Sequence, residues 1–234
     1  MNIFNKMNLL VLGALTLSNP LMANNKDGVT YQHNEKLNTI VGQVSAQRIE
    51  QDIKTLVGFG TRHTLSDTKS DTRGIGAARR WIFAEFERIS DACGGCLEVY
   101  YQSAVISGEK RIPDATEVVS VIAVQKGQTD PGRYVIMSGD IDSRISDVMN
   151  FTDDSPGAND NASGLAGTIE AARVLSKYKF NGSIVYAALA GEEQGLFGGK
   201  IMAEQAQKDK WRIKAVINND MIGNIEGING VINN

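Results

Sequence analysis

Apolar positions along this chain switch between a helical and an alternating period, and the switches mark out the elements. Val44, Ile49, Ile53 and Leu56 recur at roughly helical spacing and predict a helix over Val44–Val57. The stretch Gly58-Phe59-Gly60-Thr61-Arg62-His63-Thr64 breaks it. Ser70 or Asp71 is placed to cap a second helix, which carries Ile75, Ala78, Trp81, Ile82, Phe86 and Ile89 on one broad face. Strand-like runs follow at Leu97–Ile106, Glu117–Val124 and Tyr134–Met137, separated by turns at Ser107-Gly108-Glu109-Lys110 and Gly127–Gly132. Leu165, Ile169, Ala172 and Leu175 then predict an amphipathic helix ending near Tyr178. Asn181-Gly182 turns into a strand at Ile184–Ala190, another helix covers about Leu196–Gln207, and a last strand covers Ile213–Ile217. This alternation predicts an α/β fold, a three-layer α/β/α sandwich around a mostly parallel sheet. The early adjacent strands make its edge mixed.

Three of the apolar runs end in acids. Tyr134–Met137 leads into Asp140 and Asp142, Val185–Ala190 into Gly191-Glu192-Glu193, and Ile213–Ile217 into Asn218-Asn219-Asp220. Asp160 adds a further acid in a Gly/Asn/Ser turn just before a helical pattern. The C-terminal edge of such a sheet is where ligands bind. Carboxylates crowded there repel one another unless a cation or a shared proton holds them together. A single acid after a strand is ordinarily a helix cap or a solvated loop residue. Acids at three strand ends, one of them a Glu-Glu pair, point instead to a metal site.

Composition narrows the classes without naming one. The 234 residues suffice for one substantial domain, and 42% hydrophobic with 22% charged content is ordinary for a globular chain. A net charge of −3 offers no general electrostatic handle for nucleic acid or anionic lipid. No repeat or low-complexity tract is present.

The first residues read as an address. Asn2–Lys6 is a short cationic lead, Met7–Leu17 an apolar core, and Pro20-Leu21-Met22-Ala23 a cleavage-like site, which is the layout of a secretory signal peptide over residues 1–23. The alternative is an uncleaved anchor, for which the apolar core is short. Residues 24–43 then form a flexible lead and 44–234 the α/β domain, working in a secreted or periplasmic setting without stable membrane association. Cys93 and Cys96, spaced Cys-x-x-Cys between a helix and a strand, fit a structural disulfide in such a compartment. A redox centre of the thioredoxin type would place its first Cys at a helix start. A zinc knuckle would need a second pair, and the chain has two cysteines.

Four blocks together resemble a known family. They are Gly139-Asp140-Ile141-Asp142-Ser143, Pro156-Gly157-Ala158-Asn159-Asp160-Asn161-Ala162-Ser163-Gly164, Gly191-Glu192-Glu193-Gln194-Gly195-Leu196 and Asn219-Asp220-Met221-Ile222-Gly223. In this order, each after the right predicted element, they resemble the zinc aminopeptidases that include bacterial leucyl aminopeptidase and aminopeptidase Y. The resemblance runs from Gly58 onward. It implies an exopeptidase with two divalent ions, zinc by family habit, acting on the N-termini of peptides or proteins. Asp160 would bridge the ions, Glu193 would ligate one and Asp220 the other. Glu192 would act as general base for the attacking water, and Asp142 would steer its neighbouring ligand.

The pattern departs from the family in two ways. Where the family's first block has His-x-Asp, this chain has Asp140, which can also ligate zinc. An oxygen-only shell also suits manganese or magnesium. The family's terminal His ligand has no counterpart before Asn234, so the resemblance implies a fold whose last elements are missing. His33 and His63 do not match that position, and His63 reads as a loop or pocket-wall residue. Two other readings stay open. One is a non-catalytic binding relative of the same fold. The other is a glutaminyl-cyclase-like or different metal-dependent hydrolase, although no phosphate-cradling glycine loop with a lysine is present.

Overall fold

The computed structural model describes residues 34–225, so the expected signal peptide and His33 lie outside the described residues. The first element is a short helix, α1, over Glu35–Val41. α1 falls within the 24–43 stretch that the sequence marks as a flexible lead, of which residues 24–33 lie outside the described residues. Then come α2 (Ala46–Gly58), α3 (Gly74–Ala92), β1 (Leu97–Ile106), β2 (Thr116–Gln125) and β3 (Asp130–Asp140). The remainder is α4 (Gly164–Leu175), β4 (Gly182–Leu189), α5 (Phe197–Lys208) and β5 (Arg212–Asn218). Elements from Lys36 onward form one compact unit.

Local chemistry fixes the helix starts. Ser45 caps α2, its hydroxyl accepting from the Arg48 N–H at 3.3 Å, so the helix starts after Val44 rather than at it. The expected Ser70 or Asp71 cap for α3 is not what the structure uses. Arg73 occupies that position without a side-chain cap, and Ser70 Oγ instead accepts the N–H groups of Thr72 and Arg73 in the preceding turn.

The sheet order is β1-β2-β4-β3-β5. β3 pairs in parallel with both β4 and β5, while β1–β2 and β2–β4 are antiparallel. The parallel character belongs to the β4-β3-β5 half, and the early strands β1 and β2 make the antiparallel, mixed edge that their adjacency predicts. A connection as short as that between Ile106 and Thr116 joins antiparallel neighbours, because parallel ones need a longer crossover.

Alternation along the strands divides the core. Val121, Ala123, Tyr186 and Ala188 face the layer made by α2, α3 and α4, with Ile82, Phe86, Ile89, Leu165 and Ile169 packed against them. Ile122, Ile136, Val185 and Ala187 face the other way, against Met202 of α5. This is the three-layer arrangement. Each large apolar side chain fully buried here contributes about 1.5–3 kcal/mol. Phe86→Ala, which would open a cavity at the centre of α3, should cost about 3–5 kcal/mol. β5 is an edge strand with all seven residues exposed, including Val216 and Ile217. Cys93 and Cys96 are bonded at the turn between α3 and β1, tying the helix end to the strand start. Among the described residues no helix is long and apolar enough to cross a membrane.

Candidate metal centre

Every acid singled out in the sequence arrives at the C-terminal edge of the β4-β3-β5 half. Asp140 ends β3, Glu192 and Glu193 follow β4, and Asp220 follows β5. Asp160 comes from the turn Ala158–Ser163 that leads into α4, where Asp160 and Asn161 leave helical geometry. Gly164 lets this turn approach the β5 end. A Cβ there would lie 2.1 Å from the Asn219 carbonyl oxygen, so any larger residue would force the two segments apart.

Asp140, Glu192 and Asp220 line one cavity of about 450 Å³, whose other wall is formed by Leu189, Leu196, Ala203 and Val216. Asp142 lies beneath, fully buried. Its Oδ1 accepts the Glu192 N–H at 3.2 Å, and its Oδ2 accepts the Glu193 N–H at 3.0 Å and the Thr64 hydroxyl at 3.1 Å. Asp140 takes a hydrogen bond from Asn161 Nδ2 at 2.9 Å, and the same amide reaches the Asn219 carbonyl at 2.9 Å. Asn161 thus joins the ends of β3 and β5. Glu193 is paired with the Arg144 guanidinium.

The electrostatics are those of crowded acids. Burial pushes the Asp140 carboxyl up to about 7, and the charges of Asp142, Glu192 and Asp220 push the same way, against the Asn161 hydrogen bond. Burial likewise raises Glu192 to about 7, helped by Asp142, Glu193, Asp220 and Asp160. Glu193 is raised by burial and held back by Arg144, while Asp220 is raised by burial and by Asp160. Asp142, Asp160, Glu193 and Asp220 thus all bear on Glu192 at the cavity wall.

That neighbourhood is not a closed ligand shell. Among the described residues no three His, Cys, Asp or Glu side chains gather closely enough to surround one ion. Asp140, Glu192 and Asp220 share the cavity, Asp142 serves the backbone below it, and Glu193 is turned to Arg144. The donor chemistry nevertheless fits a divalent cation. The proposed donors are carboxylate oxygens, and a cation would offset both the burial that chiefly raises Asp140 and Glu192 and the repulsion of the neighbouring acids that adds to it.

Residues 120–231 match the model of peptidase family M28. That segment of the chain belongs to this family. Relatives in the family's neighbourhood include a probable zinc metalloprotease of Pyrenophora teres f. teres, 43% identical over 84% of this chain and 41% of its own length. Another, from Leptosphaeria maculans, is 43% identical over 84% of this chain and 46% of its own length. The chain thus spans less than half the length of these curated relatives. Among solved structures, LapB of Legionella pneumophila superposes with a TM-score of 0.63 at 25% identity, over 81% of this chain and 47% of LapB. The Legionella pneumophila LapA aminopeptidase (TM-score 0.63, 23% identity, 84% and 48% coverage) and a Porphyromonas gingivalis glutaminyl cyclase (0.62, 18%, 77% and 62%) share the fold.

His63 lies in the connection between α2 and α3. It is fully buried, its Nδ1 accepts the Leu65 N–H at 3.1 Å, and its Nε2 lies 3.0 Å from the Val148 carbonyl and 3.1 Å from Gln194 Nε2. Sequence reasoning missed Arg62, Thr64, Arg144 and Asn161. Arg62 and Thr64 stood in a stretch read as a helix breaker, although an Arg and a Thr inside a glycine-flanked break were the available signal. Nothing in the spacing pointed to Arg144.

Proposed function

We propose that this chain carries the carboxylate centre of a divalent-metal exopeptidase, an aminopeptidase acting on peptide N-termini outside the cytoplasm. The observation that carries this reading is the meeting of Asp140, Glu192 and Asp220 in one cavity at the ends of three adjacent strands. Asp140, Asp160, Glu193 and Asp220 would hold two zinc ions, or manganese or magnesium in an all-oxygen shell. A divalent pair bound there would supply Lewis acidity to the scissile carbonyl and make a water easier to deprotonate.

The rest is the work of this chain's own side chains. Glu192, half-buried at the cavity wall, takes the proton of the attacking water and returns it to the leaving amine. Asp142 fixes the Glu192-Glu193 turn through both backbone N–H groups. Leu189, Leu196, Ala203 and Val216 give the cavity an apolar side against which a substrate side chain can rest. An extracytoplasmic setting is supported by the leader-like first 23 residues and by the paired Cys93 and Cys96.

One contact favours a second reading. The Arg144–Glu193 ion pair occupies a proposed ligand, as it would in a non-catalytic binding relative. Metal content by mass spectrometry on the purified chain, run beside hydrolysis of aminoacyl-nitroanilides, separates the two. Bound zinc with product release supports the peptidase. Folded chain with neither metal nor turnover supports the binding relative.

A further inference from the structure

Arg62 heads the large side chains that are fully buried, with 1% of its surface exposed. Its guanidinium is spent on main-chain carbonyls from separate segments. Nε donates to Ile141 at 2.8 Å, Nη1 to Leu56 at 3.0 Å and to Pro156 at 2.8 Å, and Nη2 to Gly157 at 3.0 Å. Ile141 lies between Asp140 and Asp142, and Pro156-Gly157 opens the turn that carries Asp160. The backbone joins the same two segments a second time. The Arg62 N–H donates to Ser143 Oγ at 3.2 Å, and that hydroxyl donates to the Ser155 carbonyl at 2.7 Å.

Gly157 completes the fit. It holds φ +48, and a Cβ there would lie 2.9 Å from Arg62 Nη2 and 2.4 Å from the Asp160 carbonyl oxygen. The guanidinium therefore seats directly on the turn. An ion pair alone could be served by a lysine. Four carbonyls in three chain segments call for the rigid five-donor fork of arginine.

We propose that Arg62 is a positioning residue of the carboxylate centre, gripping the end of β3 and the Pro156–Asp160 turn so that Asp140, Asp142 and Asp160 keep their relative placement. Its effect on cation binding rests on the metal-site reading above. Its effect on the two loops does not. The test compares Arg62→Lys, which keeps the charge and loses the fork, with Arg62→Gln, which loses both. Both should retain the sheet by circular dichroism. In both, amides of residues 139–143 and 157–162 should exchange with deuterium about tenfold faster while those of β2 and β4 stay protected. Zinc affinity measured by calorimetry should fall about tenfold or more, and kcat on an aminoacyl-nitroanilide should drop with KM little changed.

Wild-type exchange in Arg62→Lys overturns the proposal, since charge alone would then suffice. Failure of both variants to fold also overturns it, because Arg62 would then serve the fold at large rather than the site. Wild-type chain that takes up no zinc sinks the metal reading, and the exchange measurement still decides the role of Arg62.

Discussion

The Asp142 carboxylate accepts the backbone N–H of Glu193 at 3.0 Å, so the acid beyond one strand shapes the turn beyond its neighbour. Both oxygens are engaged, one by Glu192 and the other by Glu193 and Thr64. Asparagine offers a single acceptor oxygen and would turn its amide toward a backbone donor. Asp142→Asn should therefore cost about 1–3 kcal/mol in urea denaturation. It should also lower divalent-metal affinity or turnover by about 10–100-fold. Thr64→Val, which removes one donor and leaves both turn contacts, should have a distinctly smaller effect on turnover. Equal effects would mean that Asp142 supports the interior and not the Glu192-Glu193 turn.

On the proposed assignment, Glu192 and Asp160 fail in different ways. Glu192→Gln removes the proton carrier and leaves the other acids in place, so metal content should persist while kcat falls by about 10²–10⁴-fold. Asp160→Ala removes the bridging carboxylate, so metal content should fall with activity. Mass spectrometry of both variants after equal dialysis reads the difference. Retention of the full wild-type metal by Asp160→Ala would rule out the bridging role.

The elements were legible in the sequence because apolar period tracks burial. β1 runs Leu97–Ile106 as its alternation predicts, and the Ile75-Ile82-Phe86-Ile89 face of α3 is buried as its spacing predicts. The strand-end acids were legible for the same reason, since a strand's end fixes where the next side chains go. Side-chain direction beyond that point was not. Glu193 turns to Arg144, which comes from a loop whose path depends on contacts distant in sequence. Arg62 was hidden because its partners are backbone carbonyls, which carry no residue identity for a pattern to reveal.

Asp52 sets a pH dependence away from the site. It is buried in α2, and its Oδ2 has no hydrogen-bond partner among the described residues. Burial raises its carboxyl from 3.8 to about 6, with Glu85 and Glu170 adding to the rise and Arg48 and Arg88 opposing it. A carboxyl with a raised folded-state pKa binds its proton more tightly in the native chain, so ionisation costs stability. That penalty is absent below about pH 4, grows between 4 and 6, and is complete above 6. Asp52→Asn removes it, and should gain stability relative to wild type by about 3 kcal/mol at pH 7 but little at pH 4. Urea melts of both proteins at the two pH values give the comparison. A difference independent of pH would show that Asp52 does not titrate in this window.

The Arg144–Glu193 pair separates competition from support. Glu193 is nearly covered, with 9% of its side chain exposed, whereas Arg144 is 35% exposed and reaches in from the 144–155 loop. A guanidinium on a proposed ligand must be displaced before that carboxylate can serve a cation. An ion pair with one half-exposed partner is worth about 1 kcal/mol or less, so losing it should change affinity by about fivefold at most. Arg144→Gln should therefore bind zinc about two- to fivefold more tightly in a calorimetric titration, with the gap narrowing at high salt as screening weakens the wild-type pair. Tighter binding would identify Arg144 as a placeholder for positive charge in the metal-free chain. Weaker binding would instead make it the residue that aims Glu193, and the ion pair would then be part of the working site.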